Sequence, residues 1–150
     1  MDAKAEFIAK FGPVYEASPW VAEACWPPPE DLAAAMAAVV DAAPREMKLA
    51  LIRAHPELAG RTKMAAASVK EQAGVGLDQC SPAEFEAFQR LNAAYNARFG
   101  FPFIFAVKGA TRADILAAFE ARLANDPETE FATAIAQIHR IAGFRLADLI

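Results

Sequence analysis

Reactive side chains are scarce in this chain. It has two cysteines and two histidines in 150 residues. Cys25 and Cys80 lie far apart and form no CxxC pair, so a paired-thiol metal or redox site is excluded, and both read as small, reduced core residues. There is no HExxH and no glycine-rich phosphate loop. No motif presents a serine nucleophile. His55 and His139 lack metal-ligand spacing, so no metal is expected. No basic stripe is present and the net charge is −4, which argues against nucleic acid as a partner. The longest aliphatic run, Leu32 to Val40, is closed by Asp31 and Asp41, far short of the ~20 apolar residues that cross a bilayer. The N-terminal MDAKAEFIAKFG lacks the layout of a signal peptide, and ADLI at the other end is no lipidation or peroxisomal signal. These absences predict a cytoplasmic protein with no membrane partner.

What is present is alanine, leucine, glutamate and lysine, the composition of helices. One all-α domain over residues 1–150 is expected, a bundle of about seven to nine helices. Phe7, Ile8 and Phe11 share a face of a first short helix over 2–11. Ser18-Pro19-Trp20 reads as an N-cap with a proline in the first turn, opening a helix that stops at Pro27-Pro28-Pro29. A third helix is predicted from about Glu30 to Ala42, and a fourth from near Pro44 to His55. Pro56 disfavours helical geometry at His55, placing that imidazole at a helix end. Residues 59–67 have no clear period and read as a loop with at most one helical turn.

Ser68-Val-Lys-Glu71 fits the capping box S-x-x-E, and Gly74 and Gly76 end the short helix it would open. Ser81-Pro82-Ala83-Glu84 is a second such box, opening a long helix closed by Gly100. Thr111 with Asp114 caps the next, and Asp126-Pro127 the last. Phe101 to Val107, FPFIFAV, is the one stretch with an extended pattern. No second strand is evident, so it is expected to cross a helical core alone.

Acid/base and polar chemistry gathers between Ala54 and Gln72. His55 reads either as a helix-end cap or as a proton-transfer group, and a nearby carboxylate favours the second. Glu71 and Ser68 are each explained by the capping box or by a site. Gln72 offers an amide donor and acceptor suited to amide or urea groups. The aromatic stretch is core by default, yet its backbone has groups no helix can pair. Arg145, between Phe144 and Leu146, either reaches solvent or turns inward to hold an anion or carbonyl. His139 reads as a surface residue.

Taken together, EASPWVAEACW (Glu16 to Trp26), AHPELAG (Ala54 to Gly60), SVKEQAG (Ser68 to Gly74), LNAAYNARFGFPFIFAVKG (Leu91 to Gly109) and RIAGFRLADL (Arg140 to Leu149) resemble the OHCU decarboxylase family over nearly the whole chain. HP[DE]LA, S-x-x-E-Q and FGFPF in this order are specific as a set. The resemblance implies an all-helical domain, often a homodimer, that acts without cofactor on the ureide 2-oxo-4-hydroxy-4-carboxy-5-ureidoimidazoline and yields (S)-allantoin. By motif, His55 matches the catalytic histidine and Glu71 its carboxylate partner. Pro56, Ser68 and Gln72 match substrate contacts, Phe103, Ile104, Phe105, Ala106 and Val107 the pocket wall, and Arg145 the arginine of the final helix. The link from His55 to Ser68 is shorter than the family pattern, a change in loop length that costs little.

On this reading His55 donates the proton, oriented by Glu71, while Arg145 binds a ring carbonyl or the carboxylate. Two rivals remain. One is another lyase or hydrolase acting on a ureide. The other is a non-catalytic binding module, for which the pocket at His55 would be closed or poorly formed.

Overall fold

A computed structural model describes residues 2–60 and 66–150, with side chains from 67 onward in the second stretch. The unassigned loop over 59–67, and with it the shortened link, falls largely outside these residues. Eight α-helices and one 3-10 turn are described: α1 (Ala3–Phe11), the turn Gly12–Val14, α2 (Trp20–Glu23), α3 (Leu32–Ala42), α4 (Arg45–Ala54), α5 (Ala66–Gly74), α6 (Pro82–Phe99), α7 (Arg112–Leu123) and α8 (Pro127–Leu149). No strand occurs among them, as the all-α expectation required.

Helix ends are set largely by local chemistry. Asp2, Asp31 and Asp126 each accept a backbone N–H three residues on, satisfying a donor that the first turn leaves unpaired. The boxes at Ser81–Glu84 and Thr111–Asp114 form in full. Gly100 closes α6 at φ 75°, a left-handed conformation that suits glycine.

Three local expectations need correction. Ser18 does not cap α2; Pro19 takes that position, and the Ser18 hydroxyl donates to the Glu16 carbonyl at 2.8 Å. Ser68 and Glu71 form no capping box, because α5 already runs from Ala66 and both lie inside it. His139 is half-buried, joined to the Tyr15 hydroxyl at 2.7 Å and to Asp41 at 2.9 Å. Its ring meets Tyr15 edge-on at 5.8 Å, so the apolar flank of Tyr15 shields it from solvent.

The long helix α8 packs against α1, α3, α4, α6 and the 3-10 turn, while α6 pairs with α7. Between α6 and α7 the chain crosses the core without helix or strand over 101–107, where an extended course is expected from sequence. Phe103 is stacked on Phe119 with centroids 3.9 Å apart, and the Arg122 guanidinium lies 4.4 Å from the Phe103 centroid. Lacking a partner strand, this segment borrows side chains: Arg122 donates to the Ile104 carbonyl, and Gln137 accepts the Ala106 N–H at 2.9 Å. Buried backbone groups thereby find the partners a sheet would have supplied.

Arg122 is itself fixed by Glu130, which is 0% exposed. Tyr95 and Asn125 also donate to that carboxylate. Burial opposes its ionisation. The hydrogen bonds from Arg122, Tyr95 and Asn125 more than reverse this and hold its carboxyl below the usual range. Removing one side of a buried pair leaves the other uncompensated, so Glu130→Ala should lower unfolding free energy by about 3–5 kcal/mol. Glu128→Gln, which breaks an exposed pair with Arg45, should cost less than about 1 kcal/mol. Urea titration of both variants checks the contrast, and equal losses would refute it.

Candidate functional site

Two non-helical segments, 55–60 and 101–107, wall a cavity of about 480 Å³ together with α5 and α8. All the residues expected from sequence converge on it. His55 and Pro56 stand at the end of α4, and Ser68, Glu71 and Gln72 come from α5. Phe103, Ile104, Phe105, Ala106 and Val107 form the extended wall, and Arg145 enters from α8.

His55 leaves α4 with φ −75° and ψ 141°, the extended geometry its following proline favours. It is 8% exposed. Its Nδ1 lies 2.8 Å from the Leu51 carbonyl oxygen, which can only accept, so Nδ1 carries the proton. The neutral ring therefore keeps a lone pair on Nε2, which has no hydrogen-bond partner among the described residues. Burial lowers the imidazole's affinity for a second proton. The Leu51 carbonyl and the carboxylates of Glu16 and Glu71 pull the other way and Arg145 assists, leaving the balance below the ordinary value.

The chain after His55 turns through Pro56 to Gly60 with Ala59 at φ 54°, a left-handed conformation uncommon for alanine. Three amides hold it there. Gln72 accepts the Ala59 N–H at 2.9 Å and donates to the Glu57 carbonyl at 3.2 Å. Gln89 donates to the Ala59 carbonyl and Asn92 to that of Leu58. Gln72 thus lines the cavity while bracing the turn that carries Pro56.

Arg145, 8% exposed, turns inward. Its Nε and Nη2 form a fork on the two oxygens of Glu71, each at 2.8 Å. Nη2 also meets Glu16 Oε2 at 2.9 Å and Ser68 Oγ at 3.1 Å, and Nη1 donates to the Pro13 carbonyl. Ser68 in turn donates to Glu16 at 3.0 Å. Burial opposes the guanidinium charge, but Glu71 and Glu16 outweigh it and hold the proton more tightly than usual. Glu71 makes no hydrogen bond to His55 among the described residues; the Leu51 carbonyl orients the imidazole, and Glu71 is held by Arg145.

Sequence reasoning missed Glu16, Gln89, Asn92, Arg122 and Gln137. Asn92 had a signal, an amide in the otherwise apolar stripe of α6. Glu16 had only its place inside the EASPW stretch. The others serve backbone distant in sequence and carry no local pattern.

At the mouth, Lys10, Lys70 and Lys108 are exposed, with Asp148 beside them. The positive rim contrasts with the protein's overall charge of −4.

A family model described as OHCU decarboxylase matches residues 2–147. The chain is 46% identical over 147 residues to the 2-oxo-4-hydroxy-4-carboxy-5-ureidoimidazoline decarboxylase of Haloferax volcanii, spanning 95% of this chain and 88% of that one. Its counterpart from Halalkalicoccus jeotgali is 43% identical over 151 residues, spanning 97% and 86%. Among solved structures, (S)-allantoin synthase superposes with a TM-score of 0.80 at 37% identity, covering 99% of this chain and 51% of that chain. An OHCU decarboxylase crystallised in the presence of (S)-allantoin gives a TM-score of 0.72 over 96% of both chains. At 21% identity this second likeness speaks for the fold alone.

The tautomer and its environment are open to direct measurement. Imidazole ¹⁵N spectra at neutral pH should show His55 as the uncharged Nδ1–H form, titrating below its ordinary value of 6.5. The unfolded chain then takes up this proton first as pH falls, so His55 makes stability rise with pH through that window. His55→Gln should flatten that part of the stability curve. A midpoint above 6.5, or an Nε2–H tautomer, would sink this description.

Proposed function

The chain belongs to the OHCU decarboxylase family, and from that premise we propose that it decarboxylates 2-oxo-4-hydroxy-4-carboxy-5-ureidoimidazoline to (S)-allantoin as a cofactor-independent carboxy-lyase. The observation that carries the proposal is His55 Nε2. It is the polar side-chain atom at the cavity wall left without a protein partner among the candidate residues described, and its neutral ring is ready to take a proton. A non-catalytic module predicted a closed or poorly formed pocket, and a cavity of about 480 Å³ at His55 speaks against it.

The chemistry suits such a group. When the C4–carboxylate bond breaks, its electron pair forms a C4–C5 double bond. The imine pair moves to the ring nitrogen, which gains a proton from water, and CO2 leaves. An enol remains, with its hydroxyl on C4. His55 Nε2 takes that hydroxyl proton as the C4 carbonyl forms. The resulting imidazolium returns the proton to C5 from one face, giving one enantiomer. The same atom is base and then acid, and the ring's own imine stores the electron pair, so the bond-breaking step has an internal electron sink.

The remaining groups bind and position. The Phe105 N–H and C=O have no hydrogen-bond partner among the described residues, whereas Arg122 and Gln137 engage the Ile104 carbonyl and the Ala106 N–H. We assign these Phe105 groups to the ureido and ring amides, with the flanking backbone of Phe103 and Val107 as wall. Pro56 closes the other side, braced through Gln72. Arg145, already committed to two carboxylates, serves by fixing Glu71 and Ser68, with at most its outer Nη1 hydrogen left for a ring carbonyl. A homodimer, frequent for the family, and a cytoplasmic location belong to the same proposal.

Three measurements test this. Substrate generated in the cuvette from urate with urate oxidase and hydroxyisourate hydrolase should vanish rapidly on adding the protein, leaving a persistent circular dichroism signal of (S)-allantoin. Slow decay to a racemate would refute the activity. His55→Gln should lower turnover at least about 100-fold with its melting temperature preserved. The substrate is an anion and the rim is cationic, so raising ionic strength from about 0.01 to 1 M, which shortens the Debye length from about 30 to 3 Å, should depress kcat/KM and spare kcat. An unchanged kcat/KM would remove the lysines from the account.

A further inference from the structure

Glu16 lies outside the segments that supply the expected site residues, between the 3-10 turn and α2, and it is 4% exposed. The backbone presents it through a bend. Ala17 follows at φ 48°, in the left-handed region that alanine rarely enters. The Ser18 hydroxyl donates back to the Glu16 carbonyl and closes the turn. On the preceding side, buried Tyr15 is tied to His139 and through it to Asp41. A non-glycine residue held in a sparsely populated conformation calls for something that fixes it and something it is for. The contacts of the Glu16 carboxylate supply the second. Oε2 accepts from the Ser68 hydroxyl at 3.0 Å and from Arg145 Nη2 at 2.9 Å, two residues that line the cavity.

We propose that Glu16 is a positioning residue of this site: its buried carboxylate locks Ser68 and Arg145 in place, commits the arginine to Glu71, and sets a surplus negative charge beside His55. The inference rests on the proposed decarboxylation for its catalytic consequence, though not for its geometry. Arg145 has two nitrogens on Glu71, and one of these also serves Glu16, so two carboxylates share one guanidinium. Such a cluster is one negative charge in excess. Among the described residues the ionisable groups that act on His55 are Glu16, Arg145 and Glu71; Glu16 and Glu71 favour its protonated form and Arg145 opposes it. A proton moving from the substrate hydroxyl to Nε2 creates an imidazolium in a buried place. The surplus carboxylate stabilises that charge as it appears, and it does so from a fixed position with no reorganisation.

The test uses Glu16→Gln, close in shape but uncharged, and Glu16→Asp, which keeps the charge on a shorter arm. The readouts are the ¹⁵N titration of His55, assigned against His55→Gln, and the pH profiles of kcat and KM. Glu16→Gln should move the His55 midpoint further down and carry the acidic limb of the rate profile with it. It should lower kcat about 10- to 100-fold while KM stays within about threefold. Glu16→Asp should return the midpoint toward that of the wild type. A His55 midpoint in folded Glu16→Gln equal to wild type, or kcat within about twofold, overturns the assignment. If Glu16→Gln does not fold, a Glu16→Asp midpoint shifted as far as that of a neutral site would overturn it equally. Wild-type protein with no turnover, but with a midpoint that still moves in Glu16→Gln, overturns the proposed reaction and supports the placement of Glu16.

Discussion

One guanidinium shared by two carboxylates is the contact on which the cavity depends. Arg145 joins α8 to Glu71 and Ser68 of α5 and to Glu16 and Pro13 before α2. These pieces are distant in sequence, and no regular hydrogen-bond ladder links them. A buried ion pair is a poor source of net stability, since desolvation consumes much of its Coulomb energy. Its value here is geometric. The planar fork of arginine fits a carboxylate in one orientation, so it fixes the angle of α5 as well as its distance. The same device recurs on the opposite wall, where Arg122 links Glu130 to the Ile104 carbonyl. The two nodes differ in balance. Glu130 has donors from Tyr95, Arg122 and Asn125 around a single carboxylate, whereas Arg145 serves two. The first arrangement suits a structural strut; the second leaves a charge that can do work beside the cavity.

Two of the segments that wall the cavity are irregular backbone, and that choice has a consequence. The interior of a helix spends its N–H and C=O groups on itself and has none to offer a ligand. Segments 55–60 and 101–107 have such groups, but buried irregular backbone is unstable unless side chains satisfy it. Gln72, Gln89 and Asn92 do so for the first segment, and Gln137 and Arg122 for the second. The Phe105 N–H and C=O are left without a partner among the described residues. The polar residues scattered through the core thus stand in for missing strands.

Legibility in the sequence followed the range of the interaction. Caps at Ser81, Thr111 and Asp126 were readable because donor and acceptor lie three residues apart. The break in helix over 101–107 was readable from its proline and its run of aromatics, and the placement of His55 from Pro56. Ser68 and Glu71 carry the same spacing as the true boxes and were misread for that reason. Their partners are 52 to 77 residues away, and nothing local distinguishes the two cases. His139 was taken for a surface residue because its neighbours in sequence are mixed, while the tyrosine that covers it comes from the far end of the chain. Glu16 has no local signature at all. The candidate residues come together at one cavity, but which of them pair with each other is set by contacts that no spacing encodes.

The orientation of His55 by a carbonyl, and not by a carboxylate, bears on what the imidazole can do. A carboxylate at Nδ1 would raise the basicity of Nε2 and make its imidazolium a weak acid. A group that must take a proton and hand it on within one turnover is poorly served by that. A neutral carbonyl fixes the tautomer and the ring plane with a smaller rise in proton affinity, and burial more than reverses that rise. The imidazolium is then a strong acid that gives its proton up readily, but it is also hard to form. The negative charges of Glu16 and Glu71 offset part of that difficulty from a distance. In the proposed mechanism, separating the two tasks, direction from the Leu51 carbonyl and charge from the carboxylates around Arg145, is what would let one histidine serve as base and acid in the same site.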